Sequence, residues 1–187
     1  MKGICFKENM FNQIISGAKT ETRRLKKIDK PRYKKGEVVY LKEPYQFLSW
    51  IKQETIPKDY NYFGFKHRDI AYKYLDNIEL KKNEKWKNKL FMPGHLSRFR
   101  IKITSVEIQK LHDITEAEAI AEGIEKTHPL PLGYKNYLSP ERYFDPEKKY
   151  SGYPGAVMSF FSLWEKIFKV NSLENNTDIF VYKFELI

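Results

Sequence analysis

The chain has 187 residues, of which 41% are hydrophobic and 31% are charged. This composition is ordinary for a folded protein of one domain with insertions, and no apolar run is long enough to span a bilayer. The single cysteine, Cys5, excludes an internal disulfide, and the N-terminus lacks the apolar stretch of a signal peptide. A cytoplasmic protein that does not contact a membrane is therefore the expectation.

Charge is distributed unevenly along the chain. Residues 1–100 contain 24 Lys or Arg and 11 Asp or Glu, a net charge of +13, whereas residues 101–187 contain 10 and 13, a net charge of −3. A basic half favours a polyanionic partner such as nucleic acid, and a lysine-rich surface kept for solubility is the alternative. Aromatic residues make up 16% of the chain, and rings interleaved with cations suit single-stranded RNA.

Five elements are predicted in the first hundred residues from their hydrophobic periodicity. Gly17 favours a helix end, and Pro44 ends a strand because proline cannot donate to a ladder. Residues 46–90 show no clear pattern overall and are interpreted as an insertion. The elements are a strand at 2–6, a helix at 8–16, a polar strand at 20–25, a strand at 38–43 and a weaker strand at 70–75.

The sequence pattern of the second half predicts two strands and two helices. Thr115 and Glu118 form the sequence pattern of a capping box, and Gly123 follows as a stop residue. Residues 124–155 lack periodicity, so we expect a functional loop over or beside a cleft. The elements are a strand at 97–111, a helix at 115–122, a helix at 156–168 and a strand at 179–186. Their mixed order predicts an α+β fold, a single domain over 1–187 with insertions at about 46–90 and 125–155.

The stretch from Gly17 to Arg24, G-A-K-T-E-T-R-R, is too polar for an ordinary core strand. Lys19 lies just past the turn, at the mouth of the predicted strand. Side chains alternate between the two faces of a strand. This places Thr20, Thr22 and Arg24 on one face and Glu21 and Arg23 on the other. The pattern suits a pocket for an anionic or hydrogen-bonding ligand, and an exposed edge strand with solvated charges is the alternative.

Two residues outside this stretch are further candidates for the same groove. Glu43 lies at the end of the strand predicted at 38–43, where a surface salt bridge is the alternative role. Arg100 belongs to the basic face of the strand predicted at 97–111. The four histidines lack the spacing of zinc ligands, and Cys5 lies in an apolar strand, so no metal or cofactor is expected.

Several motifs, taken in their order along the chain, resemble the ASCH domain family, which is related to the PUA domains. They are G-A-K-T-E-T-R-R, K-K-G-E-V-V-Y-L-K-E-P, W-K-N-K-L-F-M-P-G-H-L-S-R, L-H-D-I-T-E-A-E-A-I-A-E-G-I and the F-F-S-L-W helix. The chain is similar to the longer form of bacteria and phages. This resemblance implies a small mixed β-barrel with flanking helices and a cleft beside the G-x-K-T-x-T-R strand.

The resemblance also implies a function. The family is proposed to bind RNA, some small members hydrolyse N4-acetylcytidine, and at least one relative is reported as a ribonuclease. The lysine, threonine and glutamate of the amidohydrolases match Lys19, Thr22 and Glu122, and the motif's arginine matches Arg24. We therefore expect RNA or a modified nucleoside to bind in a basic cleft, with a metal-independent amidohydrolase or a ribonuclease as the alternative. The expected ligand-binding residues are Thr20, Arg23, Arg24, Glu43 and Arg100.

Overall fold

The computed structural model describes residues 1–26, 29–47, 70–76, 80, 85–127, 133–135, 155–168 and 175–187. The strands in these residues are β1 (Lys2–Cys5), β2 (Glu21–Leu25), β3 (Val38–Lys42), β4 (Tyr45–Phe47), β5 (Ile70–Tyr72), β6 (Arg100–Lys110), β7 (Glu125–Thr127), β8 (Gly133–Lys135) and β9 (Asp178–Leu186). The α-helices are α1 (Glu8–Ile15), α2 (Glu116–Ala121) and α3 (Ala156–Phe168). None of the described helices is long and apolar enough to cross a membrane.

Five strands form one mixed sheet in the order β1-β3-β6-β9-β2, and β4–β5 and β7–β8 form two-stranded sheets. β1 runs parallel to β3, whereas β2 runs antiparallel to β9. This mixture of sheet and helices confirms the predicted α+β class. Among the described residues, β1 and β2 at the ends of that order do not pair, so closure into the predicted small barrel is not observed.

The chain divides into two compact units, each made from two stretches of sequence. The first unit comprises Met1–Asn12 and Val38–Ile101, and the second comprises Gln13–Glu37 and Lys102–Ile187. The single domain expected over residues 1–187 stays a prediction. The first unit buries an apolar cluster of Tyr45, Ile70, Tyr72, Met92 and Leu96.

In the second unit, the apolar face of α3 forms part of the core. Phe160, Leu163 and Trp164 recur at the spacing that keeps side chains on one helix face, and all three are buried. Trp164 lies 4.2 Å from Phe168, measured between ring centroids. The helix has the predicted bounds. They could be predicted because a long apolar stripe on one helix face is a strong signal in the local sequence.

Local capping signals set the ends of two helices as predicted. Gly17 follows α1 with φ +79°, in the left-handed region that glycine adopts without steric cost. The Thr115 side chain accepts a hydrogen bond from the Glu118 amide, and the Glu118 side chain bonds back to Thr115, which completes the predicted capping box of α2. Gly123 then ends the helix with φ +95°.

Short strands are where the structure differs from the sequence-based expectation. The hairpin β7–β8 lies inside residues 124–155, for which no regular structure was expected, and β4 follows Pro44 without having been predicted. Each of these strands has three residues, too few for an alternating pattern to be recognised. The remainder of the expected loop, and much of the insertion at 46–90, lies outside the described residues.

Gly123 offers a test of how tightly the end of α2 is packed. A Cβ at this position would overlap the Gln13 side chain, whereas Gly36, with φ +82°, has open space around it. We expect Gly36→Ala to cost about 1 kcal/mol from the left-handed backbone alone, and Gly123→Ala about 2–3 kcal/mol because crowding adds to it. Urea unfolding measures both, and equal losses would show that Gln13 moves aside freely.

Candidate functional site

Main-chain hydrogen bonds fix the stretch that carries Lys19. The amide of Lys19 donates to the carbonyl of Gln13 at 3.0 Å, and the amide of Thr20 donates to the carbonyl of Ala121 at 2.9 Å. The carbonyl of Thr20 accepts from the amide of Phe184 in β9, also at 2.9 Å. The start of β2 is therefore held at the end of α2, which brings Lys19 to Glu122.

Lys19 and Glu122 form a buried ion pair. The Lys19 Nζ donates to Glu122 Oε2 at 2.5 Å and to the Glu122 main-chain carbonyl at 2.6 Å. Lys19 is 1% exposed and Glu122 is 6% exposed. Burial lowers the pKa of Lys19, Glu122 opposes this, and the charges of Arg24 and Arg23 add to the lowering. The amine of Lys19 thus loses its proton more readily than that of an exposed lysine.

Arg23 extends this pair into a network. Its Nη1 lies 3.3 Å from Glu21 Oε2 and 3.5 Å from Glu122 Oε1, and its Nη2 lies 3.2 Å from Glu118 Oε2. Nη2 also donates to Gln109 Oε1 at 3.3 Å. The Arg23 side chain is fully buried. We call Lys19, Glu21, Arg23, Glu118 and Glu122 the buried ion network.

The buried ion network has two cations and three carboxylates, and Lys183 beside it supplies the third cation. Lys183 Nζ lies 3.7 Å from Glu21 Oε1, so three cations face three carboxylates. Burial raises the pKa of Glu21, with Arg23 and Lys183 opposing. For Glu118, burial also acts to raise the pKa, but hydrogen bonds from Thr115 and the charge of Arg23 leave it lowered. Within the described residues, no group of His, Cys, Asp or Glu is arranged to hold a metal ion.

The remaining residues of the G-x-K-T stretch differ in exposure. Thr22 is 4% exposed and pairs with Tyr182 across the β2–β9 ladder. Thr20 is exposed, and Arg24 is half-buried and close enough to lower the pKa of Lys19. Glu21, Thr22 and Arg23 are all buried. β2 thus lies at one end of the sheet order, but the charges of Glu21 and Arg23 are not solvated as the alternative expectation required.

Glu43 and Arg100 belong to the first unit. Arg98 donates from Nε to Glu43 Oε1 at 3.1 Å and from Nη2 to Oε2 at 3.0 Å, and its Nη1 lies 2.7 Å from Asp76 Oδ1. Glu43 is in a salt bridge, as one interpretation expected, but it is 1% exposed and not on the surface. Burial raises the pKa of Glu43, and Arg98 opposes this. Arg100 is exposed at the start of β6.

Three members of the site were not predicted from the sequence. Glu118 was assigned only a capping role, although its position four residues before Glu122 places both carboxylates on one face of α2. Glu21 was placed on the same strand face as Arg23 without a partner. Gln109 in β6 had no sequence signal, because only the sheet brings it to Arg23. The expected ligand-binding roles of Thr20, Arg23, Arg24, Glu43 and Arg100 stay predictions.

Comparison with known proteins gives one structural similarity. No model of a known protein family matches the sequence, and no curated protein matches it. The chain is similar to the crystal structure of protein EF3133 from Enterococcus faecalis V583, described as family DUF984. The match has 13% sequence identity and a TM-score of 0.41, and it covers 100% of this chain and 80% of that chain. Similarity at this level carries no conclusion about activity, substrate or partner.

Proposed function

We propose that this chain is an amidohydrolase that removes an acyl group from the exocyclic nitrogen of a cytidine-type nucleoside. The observation that carries the proposal is the contact between Lys19 Nζ and Glu122 Oε2 at 2.5 Å, between residues 103 positions apart in the sequence. These are two of the three residues that the ASCH resemblance assigns to catalysis. The ASCH assignment and its PUA-like barrel are part of the proposal and rest on the ordered sequence motifs.

The buried ion network supplies the acid–base chemistry that such a reaction requires. A water that the Thr22 hydroxyl positions, or the hydroxyl itself, attacks the acyl carbon, and the neutral amine of Lys19 takes the proton. If the hydroxyl attacks, a water then hydrolyses the ester on Thr22, which releases acetate and restores the hydroxyl. The lowered pKa of Lys19 favours this base form. The short hydrogen bond to Glu122 gives the proton a path to the departing nitrogen as the carbon–nitrogen bond breaks. Arg24 or a backbone amide stabilises the oxyanion.

The burial of Lys19 and Glu122 is also what a purely structural ion pair would show. Because Lys19 is 1% exposed, its amine does not contact solvent in this conformation, and the residues that cover it must move before a substrate binds. A network that serves stability alone has the same charge balance. The two explanations differ in what they predict for turnover, so an activity assay with matched variants distinguishes them.

Hydrolysis of N4-acetylcytidine, followed by chromatography, tests the proposal at Thr22. The parent chain should release cytidine and acetate. Thr22→Ser keeps the hydroxyl and should be about tenfold or more as active as Thr22→Ala. Only the alanine variant lacks the group that attacks the acyl carbon or positions the attacking water. Thr104→Ala, at an exposed position of β6, is the control and should match the parent. No product from the parent would contradict the proposal.

Binding of RNA or a modified nucleoside without hydrolysis is the second candidate function. It is favoured by the net charge of +13 in residues 1–100. Arg24 and Thr20 keep polar groups at the solvent-exposed part of the G-x-K-T stretch, where a phosphate or a base edge would be bound. Titration with single-stranded RNA at low salt tests this candidate, and absence of binding excludes it.

A further inference from the structure

Adjacent apolar side chains are exposed on the first unit. Leu90 is 58% exposed and Phe91 is 79% exposed, and Phe47 in β4 is 39% exposed. Single exposed apolar residues are common on protein surfaces, but neighbouring large ones mark places of interaction. We call Lys42, Phe47, Lys85, Lys87, Leu90 and Phe91 the Lys85–Phe91 surface.

Hydrogen bonds to β4 fix the first part of this surface. The amide of Lys87 donates to the carbonyl of Tyr45 at 2.8 Å, which forms an isolated antiparallel bridge. The Gln46 side chain donates to the carbonyl of Lys85 at 2.7 Å. The Lys87 Nζ lies 5.8 Å from the centre of the Phe47 ring. A cation and an exposed ring are thus held side by side.

A capped turn fixes the second part. The amide of Leu90 donates to Asn88 Oδ1 at 2.9 Å, and the amide of Phe91 donates to the Asn88 carbonyl at 3.1 Å. The Lys42 Nζ donates to the carbonyl of Leu90 at 2.7 Å. The exposed Phe91 ring therefore projects from a backbone that is already ordered, so a ligand that stacks on it loses little conformational entropy.

The charge of this surface favours an anionic ligand. Residues 85–106 contain six Lys or Arg and no Asp or Glu. Lys42 bonds a neutral carbonyl, and neither Lys85 nor Lys87 has a salt bridge to a carboxylate in the described part of the chain. Arg98 differs, because Glu43 and Asp76 compensate its charge. Among the described residues, no carboxylate therefore offsets the charges of Lys42, Lys85 and Lys87.

From these observations we propose that the Lys85–Phe91 surface binds single-stranded nucleic acid. A base stacks on Phe91, and Lys42, Lys85 and Lys87 contact phosphates. Aromatic rings beside uncompensated lysines are the combination that single strands require, since stacking is open to every base and cations follow the backbone. A second copy of this chain would meet the same positive charge, which opposes self-association. The inference rests on the proposed RNA binding and assigns a surface to it.

Fluorescence anisotropy with a labelled oligouridine of about 20 nucleotides tests the inference through affinity and its salt dependence. Phe91→Ala should weaken binding by about 5- to 100-fold without changing the slope of log K against log salt, because stacking releases no counterion. Lys87→Gln should lower that slope by about 0.7. Phe91→Trp keeps an aromatic ring and should retain the affinity of the parent. The controls are Ile108→Ala, at a position that is 56% exposed, and Lys110→Gln, which removes a lysine paired with Asp178; both should bind like the parent.

Each outcome has a distinct meaning. If the parent does not bind at low salt, RNA binding itself fails and the inference fails with it. If the parent binds and Phe91→Ala binds within twofold of it, the inference is overturned while RNA binding stands. Sedimentation that shows a parent dimer and a monomeric Phe91→Ala variant would also overturn the inference, because the surface would then be covered by a second copy.

Discussion

Replacing Lys19 with methionine is expected to lower the rate of N4-acetylcytidine hydrolysis by about a hundredfold or more, because it removes the general base. Methionine fills similar space without a buried charge, and the change removes the cation that pairs with Glu122. Glu122→Gln should lower the rate by a similar factor, since it removes the acid that protonates the departing nitrogen. Lys102→Met, at a lysine whose side chain is 50% exposed, is the control and should keep the parent rate.

The pH dependence of the rate separates catalysis from a structural role. The rate should rise with pH as Lys19 loses its proton, at a pH below the 10.5 of an ordinary lysine. Glu122 raises the pKa of Lys19. The residual rate of Glu122→Gln should therefore begin to rise at a lower pH than the rate of the parent. Arg24 lowers that pKa, so Arg24→Gln should move the rise to higher pH. An unchanged rate in Lys19→Met, with native urea unfolding, would contradict catalysis by this residue.

Replacing Arg23 with methionine is expected to lower the free energy of unfolding by about 3–5 kcal/mol at neutral pH. The change leaves Glu21, Glu118 and Glu122 together without the cation that contacts all three. Urea unfolding measures the loss. Lys183→Met is the matched control, because Lys183 contacts Glu21 at 3.7 Å with 38% of its side chain exposed, and it should cost less than about 1 kcal/mol.

The pH dependence of stability gives a second check on Arg23. Burial already raises the pKa of Glu21, and loss of Arg23 removes a charge that opposes this. A carboxyl group whose folded pKa is above its unfolded value binds more protons in the folded state. Stability of Arg23→Met should therefore rise as pH falls from neutral towards 4.5, and its difference from the parent should shrink. A difference that is the same at both pH values would argue against carboxylate repulsion as the cause.

The sequence by itself determined the features that depend on neighbours a few residues apart. The capping box of Thr115 and Glu118, the stop at Gly123 and the bounds of α3 were predicted because their interactions span no more than a turn or two of helix. The uneven charge is likewise a property of composition. The family resemblance named Lys19 and Glu122 together, although nothing in their spacing indicates contact.

Only the tertiary structure decided which of the charged residues are buried and with what partners. Arg23 and Arg24 are adjacent in the chain, yet Arg23 is enclosed by carboxylates from β2 and α2 and Arg24 is half-buried. Glu43 is buried and is paired with the half-buried Arg98, 55 residues away. Ion pairs of this kind have no local signal, because their stability comes from desolvation and charge balance among groups that meet only when distant segments pack together.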